Sequence, residues 1–360
     1  MSKGKVIVGM SGGVDSSVAA SLLKEEGYEV IGVTMKIWDG GTISKEGTHH
    51  ACYGPGEEED IKDAQKVAQI LGIPFYIFDL KQEYKTFVLD YFSHEYLSGR
   101  TPNPCIRCNQ RVKFGALVEK IYDSGIEFDY FATGHYTRVE YDKVQHRYLL
   151  KKAKDLNKDQ SYFLYSLSQE QLRHTLFPLG GYTKEEVKKI AQNLELDIYN
   201  KPESQDFITG DYSFLFNKVP RSGPILNKQG KVLGRHKGIP FYTIGQRKGL
   251  GVSNGERLYV TAIDPERDTI VVGKKEDLLG DKLIASNLNW IDIKKYEKSF
   301  KVKAKIRYRH EEAEVEVIPW DKEKIYVKFR EPQMAITPGQ AIVFYDGDIV
   351  VGGGVIERRI

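Results

Sequence analysis

Cysteine is scarce in this chain: of 360 residues, only Cys52, Cys105 and Cys108 are cysteines. A small, odd number argues against a structural disulfide framework and leaves redox, metal or nucleophilic use open. Long apolar runs are missing too. Nothing approaches the roughly 20 residues of a membrane-spanning helix, and the chain reaches a β-branched run at Val6 without the apolar stretch of a signal peptide. A cytoplasmic protein with no membrane partner is the expectation. An excess of one charge is also absent, since 53 lysines and arginines nearly cancel 50 aspartates and glutamates. Any surface for nucleic acid therefore has to be local. No low-complexity segment or internal repeat interrupts the chain, and its length suits two or three domains.

The most informative stretch is Val8-Gly9-Met10-Ser11-Gly12-Gly13-Val14-Asp15-Ser16-Ser17. It lies between the run Lys5-Val6-Ile7-Val8 and a helical pattern over Val18 to Glu26 that Gly27 ends, so it reads as strand, tight loop and helix. Gly12 and Gly13 permit positive φ and close approach of the backbone, and small hydroxyl residues leave the first helix amides uncovered. Such a loop seats an anion. Exposed N–H groups and the positive end of the helix dipole favour phosphate, with Ser11, Ser16 and Ser17 as further donors. A kinase-type P-loop is excluded because no lysine follows Gly13, and the spacing Gly-x-Gly-x-x-Gly is not present. Ser-Gly-Gly-x-Asp-Ser instead resembles the PP-loop of the ATP pyrophosphatases, which split ATP between its α and β phosphates and adenylylate an oxygen. That resemblance implies a loop holding pyrophosphate, with Asp15 helping to hold Mg²⁺.

Downstream, Val30 to Met35 reads as a strand buried on both faces, with Met35 at the C-terminal end where doubly wound sheets place ligands. A polar, glycine-rich stretch from Asp39 to Gly56 holds His49, His50 and Cys52 and reads as a flap or insertion at the site. A helix over Glu57 to Leu71, a strand over Phe75 to Asp79 and a helix from about Glu83 to Leu97 follow. Pro102 and Pro104 delay the next helix until Cys105 or later, so the Cys105-Ile106-Arg107-Cys108 pair sits where a loop becomes a helix. A helix N-terminus, with Arg107, Arg111 and Lys113 nearby, is expected to lower a thiol pKa there. Phe128 to Tyr136 reads as a strand ending at Gly134, a residue small enough to admit a nucleotide, although a plain strand-end turn explains Gly134-His135 as well. Strands alternating with helices over 5–136 predict a parallel, doubly wound α/β sheet.

Tyr162 to Ile208 reads as helices around Pro178-Leu179-Gly180-Gly181. Beyond Gln205 short β-like runs appear at Lys231–Gly234, Phe241–Gly245, Leu258–Ile263 and Thr269–Gly273, which predicts a small, mostly β linker domain. From about Leu283 a β-barrel is the natural closure. In Lys301 to Arg309 strict alternation puts Lys301, Lys303, Lys305, Arg307 and Arg309 on one face, either to meet RNA phosphates or to pair with Glu312, Glu314 and Glu316 across a hairpin. The expected domains are 1–208, 209–282 and 283–360.

Taken together, Gly9–Ser17, Thr101–Asn109, Ala132–Tyr136, Asp159–Phe163, Phe177–Gly180, Gly234–Gly238, Phe241–Gly249 and Pro338–Ala341 resemble the tRNA-specific 2-thiouridylase family. That family uses ATP to activate O2 of the wobble uridine in the tRNA anticodon arm and replaces it with sulfur from a cysteine persulfide. The resemblance implies ATP contacts at Gly9, Met10, Ser11, Gly12, Gly13, Val14, Asp15, Ser16, Met35 and Gly134. It implies RNA contacts at Asn103, Pro104 and Cys105, at Lys158, Asp159 and Gln160, and at Arg307 and Tyr308, with Cys108 as nucleophile. Two positions depart from the family pattern: Cys105 stands where an acidic residue is commoner, and Ile208 stands where the persulfide cysteine belongs. Cys105 or Cys52 can take over that role. Alternatively Cys52, Cys105 and Cys108 hold a [4Fe-4S] cluster open to hydrosulfide, or zinc with His49 or His50. The sulfur source is a donor protein or free sulfide. Thiolation of a different RNA site by a paralogue lacking the second catalytic cysteine, a PP-loop amide-forming ligase and an RNA-binding module without turnover are the competing functions.

Overall fold

The structure, a computed structural model, describes residues 2–41, 51–194, 196, 201, 206–208, 212–216, 220–252, 256–292 and 298–360. His49, His50 and 202–205 lie outside the described residues, so the zinc alternative has no structural counterpart to compare. The chain forms two compact units: Met1–Val88, Cys105–Phe214 and Asp348–Val350 make the first, and Leu89–Pro104, Leu215–Gly347 and Val351–Ile360 the second.

In the first unit β1 (Lys5–Gly9), β2 (Glu29–Lys36), β4 (Phe75–Asp79), β5 (Tyr130–Thr133) and β8 (Thr175–Leu176) form a sheet ordered β4-β2-β1-β5-β8. All its pairings are parallel. Val6, Ile7 and Val8 of β1 are wholly buried because helices cover both faces. Strand order reverses between β1 and β5, so the turns after these two strands open at the crevice where doubly wound sheets bind ligands.

The helix α1 (Val14–Glu25) packs Val14, Val18, Leu22 and Leu23 onto the sheet. In α2 (Glu57–Leu71) four acidic residues occupy the first turn, as the helix dipole favours, and Gly72 closes the helix at φ +61°. The short β3 (Ala51–Tyr53) pairs in parallel with β9 (Asp206–Ile208). Between β5 and β8, a hairpin of β6 (Arg138–Asp142) and β7 (Arg147–Lys151) is completed from far along the chain: Ile349 pairs with Lys151, and Asp348 accepts from Arg138 at 2.8 Å.

In the second unit β10 (Gly223–Asn227), β11 (Val232–His236), β12 (Tyr259–Asp264) and β13 (Thr269–Gly273) form a sheet over a core of Ile225, Val260, Ile270 and Val272. Phe241–Gly245 is not a strand: Ile239–Phe241 is a 3₁₀ turn containing Pro240. The barrel is closed and six-stranded. Its strands β14 (Leu279–Trp290), β15 (Phe300–Lys305), β16 (Ala313–Pro319), β17 (Ile325–Met334), β18 (Ala341–Asp346) and β19 (Ile349–Arg359) run β14-β17-β16-β15-β18-β19, and β19 pairs back to β14. The expected α/β domain, β-rich middle and C-terminal barrel are all present.

Candidate active site

Two loops meet where the sheet reverses. At Gly12, φ is +71°, and an added Cβ would lie 2.2 Å from the Asp60 carbonyl oxygen of α2, so only glycine fits the turn. The hydroxyls of Ser16 and Ser17 donate to Gly13 O at 3.2 and 2.9 Å, and the Ser11 amide donates to Ser16 Oγ at 3.1 Å. The loop is thus tied to the first turn of α1, whose amides have no side-chain cap. Of the predicted ATP contacts, Gly9, Met10, Ser11, Gly12, Gly13, Val14, Asp15 and Ser16 form this one turn, and Met35 lies at the end of the neighbouring β2. Met10 reaches the site only through its backbone, because its side chain is buried in the core.

Gly134 is required by packing. A Cβ there would stand 2.6 Å from Ser16 N, so the missing side chain makes room for α1 itself and the strand-end turn packs on the loop's backbone. The Asp15 carboxylate accepts from Lys184 Nζ at 2.7 and 2.9 Å and from the Tyr136 hydroxyl at 2.8 Å. Those bonds make Asp15 the tie between α1 and α3 (Lys184–Asn193), and Oδ2, with one partner, keeps an acceptor direction that suits a hard cation. Sequence reasoning missed Lys184. The Thr183-x-x-Glu186 capping box marks it as a helix start, but nothing local links it to Asp15.

The cysteines lie around Tyr84, in the same unit. A continuous helix begins at Pro104, widens into a π turn over Cys108–Ala116 and ends at Asp123, placing Cys105 in its first turn and Cys108 at the start of the wide turn. Cys52 is the middle residue of β3, whose pairing sets Tyr53 opposite Ile208. Tyr53 stacks on Tyr84 with centroids 5.6 Å apart, and Phe207 of β9 lies against the same ring. Burial, then the fields of Cys108, Cys52 and Cys105, hold the Tyr84 phenol well above its ordinary pKa.

The expected lowering of the thiol pKa does not occur. Crowding by the surrounding protein pushes Cys108 up to about 11, opposed by Lys113, and Cys52 rises for the same reason although its surface opens to solvent. Lys113 does act as expected, lowering both thiols. His135 is driven well below its ordinary value by burial and then by Lys113, and its Nδ1 lies 2.7 Å from Thr133 Oγ1. It is neutral at physiological pH.

The predicted RNA contacts are dispersed. Asp159 is turned inward, accepting from Ala153 N at 3.1 Å and from the Ser161 hydroxyl at 2.8 Å, while Gln160 is bonded to the Tyr136 backbone and Lys158 is half-buried beside it. Asn103 and Pro104 close the second unit's Leu89–Pro104 segment. There Thr101 N donates to Pro338 O at 2.8 Å, and Gln340 holds the Thr101 and Pro102 carbonyls, so Pro338-Gly339-Gln340 fastens the residues that lead into the cysteine pair. In the barrel β15 stops at Lys305. Arg307 turns in to the Ala335 carbonyl at 2.9 Å and to Thr337, with Tyr308 beside it in the loop. Lys301 and Lys303 stand opposite Glu316 and Glu314, the pairing alternative for this face. Among the described residues, no group of three or more His, Cys, Asp or Glu is close enough to hold a metal ion, and no helix is long and apolar enough to cross a membrane.

Three family models match in succession: a tRNA methyl transferase HUP domain over 4–209, its PRC-barrel domain over 213–274 and an aminomethyltransferase β-barrel domain over 280–356. The tRNA-specific 2-thiouridylase MnmA 2 of Thermoanaerobacter sp. (strain X514) is 51% identical over 99% of this chain and 98% of its own. The tRNA-specific 2-thiouridylase MnmA of Caldicellulosiruptor saccharolyticus is 48% identical, covering 99% of each chain. Among solved structures, a 4-thiouridine synthetase in complex with RNA and ATP aligns at 21% identity with a TM-score of 0.33, covering 61% of this chain and 46% of that one. With half of all residues identical from end to end in the first of these relatives, this chain belongs to the tRNA-specific 2-thiouridylase family.

Proposed function

We propose that this protein is an ATP-dependent tRNA sulfurtransferase that replaces O2 of the wobble uridine with sulfur, and that Cys52 carries the sulfur. The single observation behind the second part is the register of β3 against β9. It puts Cys52 level with Phe207, whose neighbour along β9 is Ile208, the position of the family's persulfide cysteine, so the thiol sits on the strand paired with that position.

The loop Gly9–Ser16 receives the phosphates of ATP through its amides and hydroxyls. Uracil O2 attacks the α-phosphorus and the α–β bridging bond breaks, so pyrophosphate leaves and O2 becomes the leaving oxygen of AMP. The target base has to be splayed from its stack to reach these groups. A sulfur donor first passes a sulfane sulfur to the Cys52 thiol and is left as its own thiol. The terminal sulfur of Cys52 then attacks C2 and AMP departs. Cys108 attacks Cys52 Sγ, the S–S bond breaks, the thiocarbonyl remains on the base, and a Cys52–Cys108 disulfide is left for an external dithiol to reduce. Lys113 favours the thiolate of both cysteines. This sequence of steps needs no [4Fe-4S] cluster.

The test is AMP release and 2-thiouridine formation with anticodon-stem RNA, ATP and a persulfide donor. Cys52→Ser and Cys108→Ser abolish thiolation, and Cys105→Ser retains most of it. A cluster mechanism is the correct one if anaerobic protein is brown and iron-replete and if Cys105→Ser is as inactive as the other two. RNA-independent AMP formation points instead to a ligase, and RNA binding without AMP points to a module that has lost turnover.

A further inference from the structure

The loop between the 3₁₀ turn and β12 in the second unit presents exposed cations at Arg247, Lys248 and Arg257. Its root is fixed: Gly245 N donates to Val260 O at 2.8 Å, Val260 N returns to Gln246 O at 2.9 Å, and Gln246 Oε1 accepts from Thr243 N at 3.0 Å. Leu250 is buried in the core of that sheet. Gly249 and Gly251 turn the chain at φ +76° and +66°, which lets it fold back around a recess of about 450 Å³.

Arg247 and Arg257 line this recess and are exposed, as is Lys248 beside Arg247. Among the described residues none of the three side chains has a hydrogen bond or ion pair, and the Lys248 carbonyl accepts from Gln246 Nε2 at 3.0 Å. Glu256 is the carboxylate in the lining, and it is already paired with Lys274 at 3.2 Å. The recess therefore keeps a net positive charge beside a hydrogen-bonded loop root, whereas the barrel lysines opposite Glu314 and Glu316 and the inward Arg307 do not. Planar guanidiniums suit oxygen anions spaced along a chain.

We propose that this recess is a phosphodiester-backbone site for the RNA substrate, separate from the nucleotide loop and the cysteines, and that it sets affinity without taking part in the chemistry. It rests on the reading of the protein as a tRNA sulfurtransferase. The test is filter binding of unmodified tRNA to the full chain across a salt series. In Arg247→Gln/Arg257→Gln the slope of log K against log salt falls by about 1.4 to 1.8, and affinity at 0.1 M salt falls about 30-fold. Thiolation at saturating tRNA is unchanged. Glu256→Gln moves affinity the other way, because it removes the carboxylate and frees Lys274. An unchanged slope in the double variant overturns the site, as does a loss confined to binding of poly-glutamate, which would assign the recess to an acidic polypeptide. If the slope changes as expected but the wild-type protein makes no 2-thiouridine, the recess stands and the thiolation reading falls.

Discussion

Cys108 is a thiol, not a thiolate, in the resting protein, and that makes a quantitative prediction. With burial raising its pKa to about 11, about one molecule in ten thousand carries the thiolate at pH 7, against about three in a hundred for an ordinary cysteine. Iodoacetamide reacts with the thiolate, so Cys108 is expected to alkylate about 300-fold more slowly than a free cysteine at pH 7. Its rate climbs about tenfold per pH unit up to pH 10. Lys113→Met removes the charge that opposes burial, and the rate at pH 7 falls further. Peptide mass spectrometry after timed quenching resolves the sites separately. Cys108 labelling at the rate of a free cysteine at pH 7, or faster labelling in Lys113→Met, would refute the reasoning. If adding ATP and RNA accelerates the reaction, the substrates themselves supply the activation that the resting site lacks.

Gly134→Ala drives a methyl group into the first turn of α1 and is expected to cost about 3 kcal/mol and abolish ATP binding, read by thermal unfolding and nucleotide titration. Asp15→Asn leaves Lys184 without its counter-charge, and a loss of about 2 kcal/mol in urea unfolding is expected; an unchanged midpoint would contradict the tie described above. His135 stays neutral when folded but takes a proton when unfolded below about pH 6.5. Stability therefore falls as pH drops from 7 towards 5.5, and His135→Gln flattens that slope in denaturant melts. Arg307→Met strands the Ala335 and Ile244 carbonyls and lowers stability by about 2 kcal/mol in calorimetry.

What could be read from the sequence was whatever is local. The strand, loop and helix over Lys5–Glu25 follow from β-branched residues, paired glycines and helical spacing in one short window, and α2 has its predicted ends because acidic residues open it and Gly72 closes it. The barrel face of Ala304 and Ile306 is buried as period two requires. The rest depends on residues that meet only in the folded chain. The pairing of β3 with β9 joins two three-residue strands that carry too little pattern to announce themselves. The cysteine environment went astray because a helix N-terminus is visible in sequence and a dielectric shell is not. Arg307 looked like one of a row of free cations, but the strand ends two residues before it and buried carbonyls claim it.

Arg138 finds its carboxylate at Asp348, and Lys151 its strand partner at Ile349, although the rest of the first unit ends at Phe214. A ribosome making this protein must therefore translate past Ile349 before that hairpin can be finished. The unfinished edge waits through the synthesis of everything in between, and a nonsense codon just before Asp348 would injure the first unit as well as the barrel.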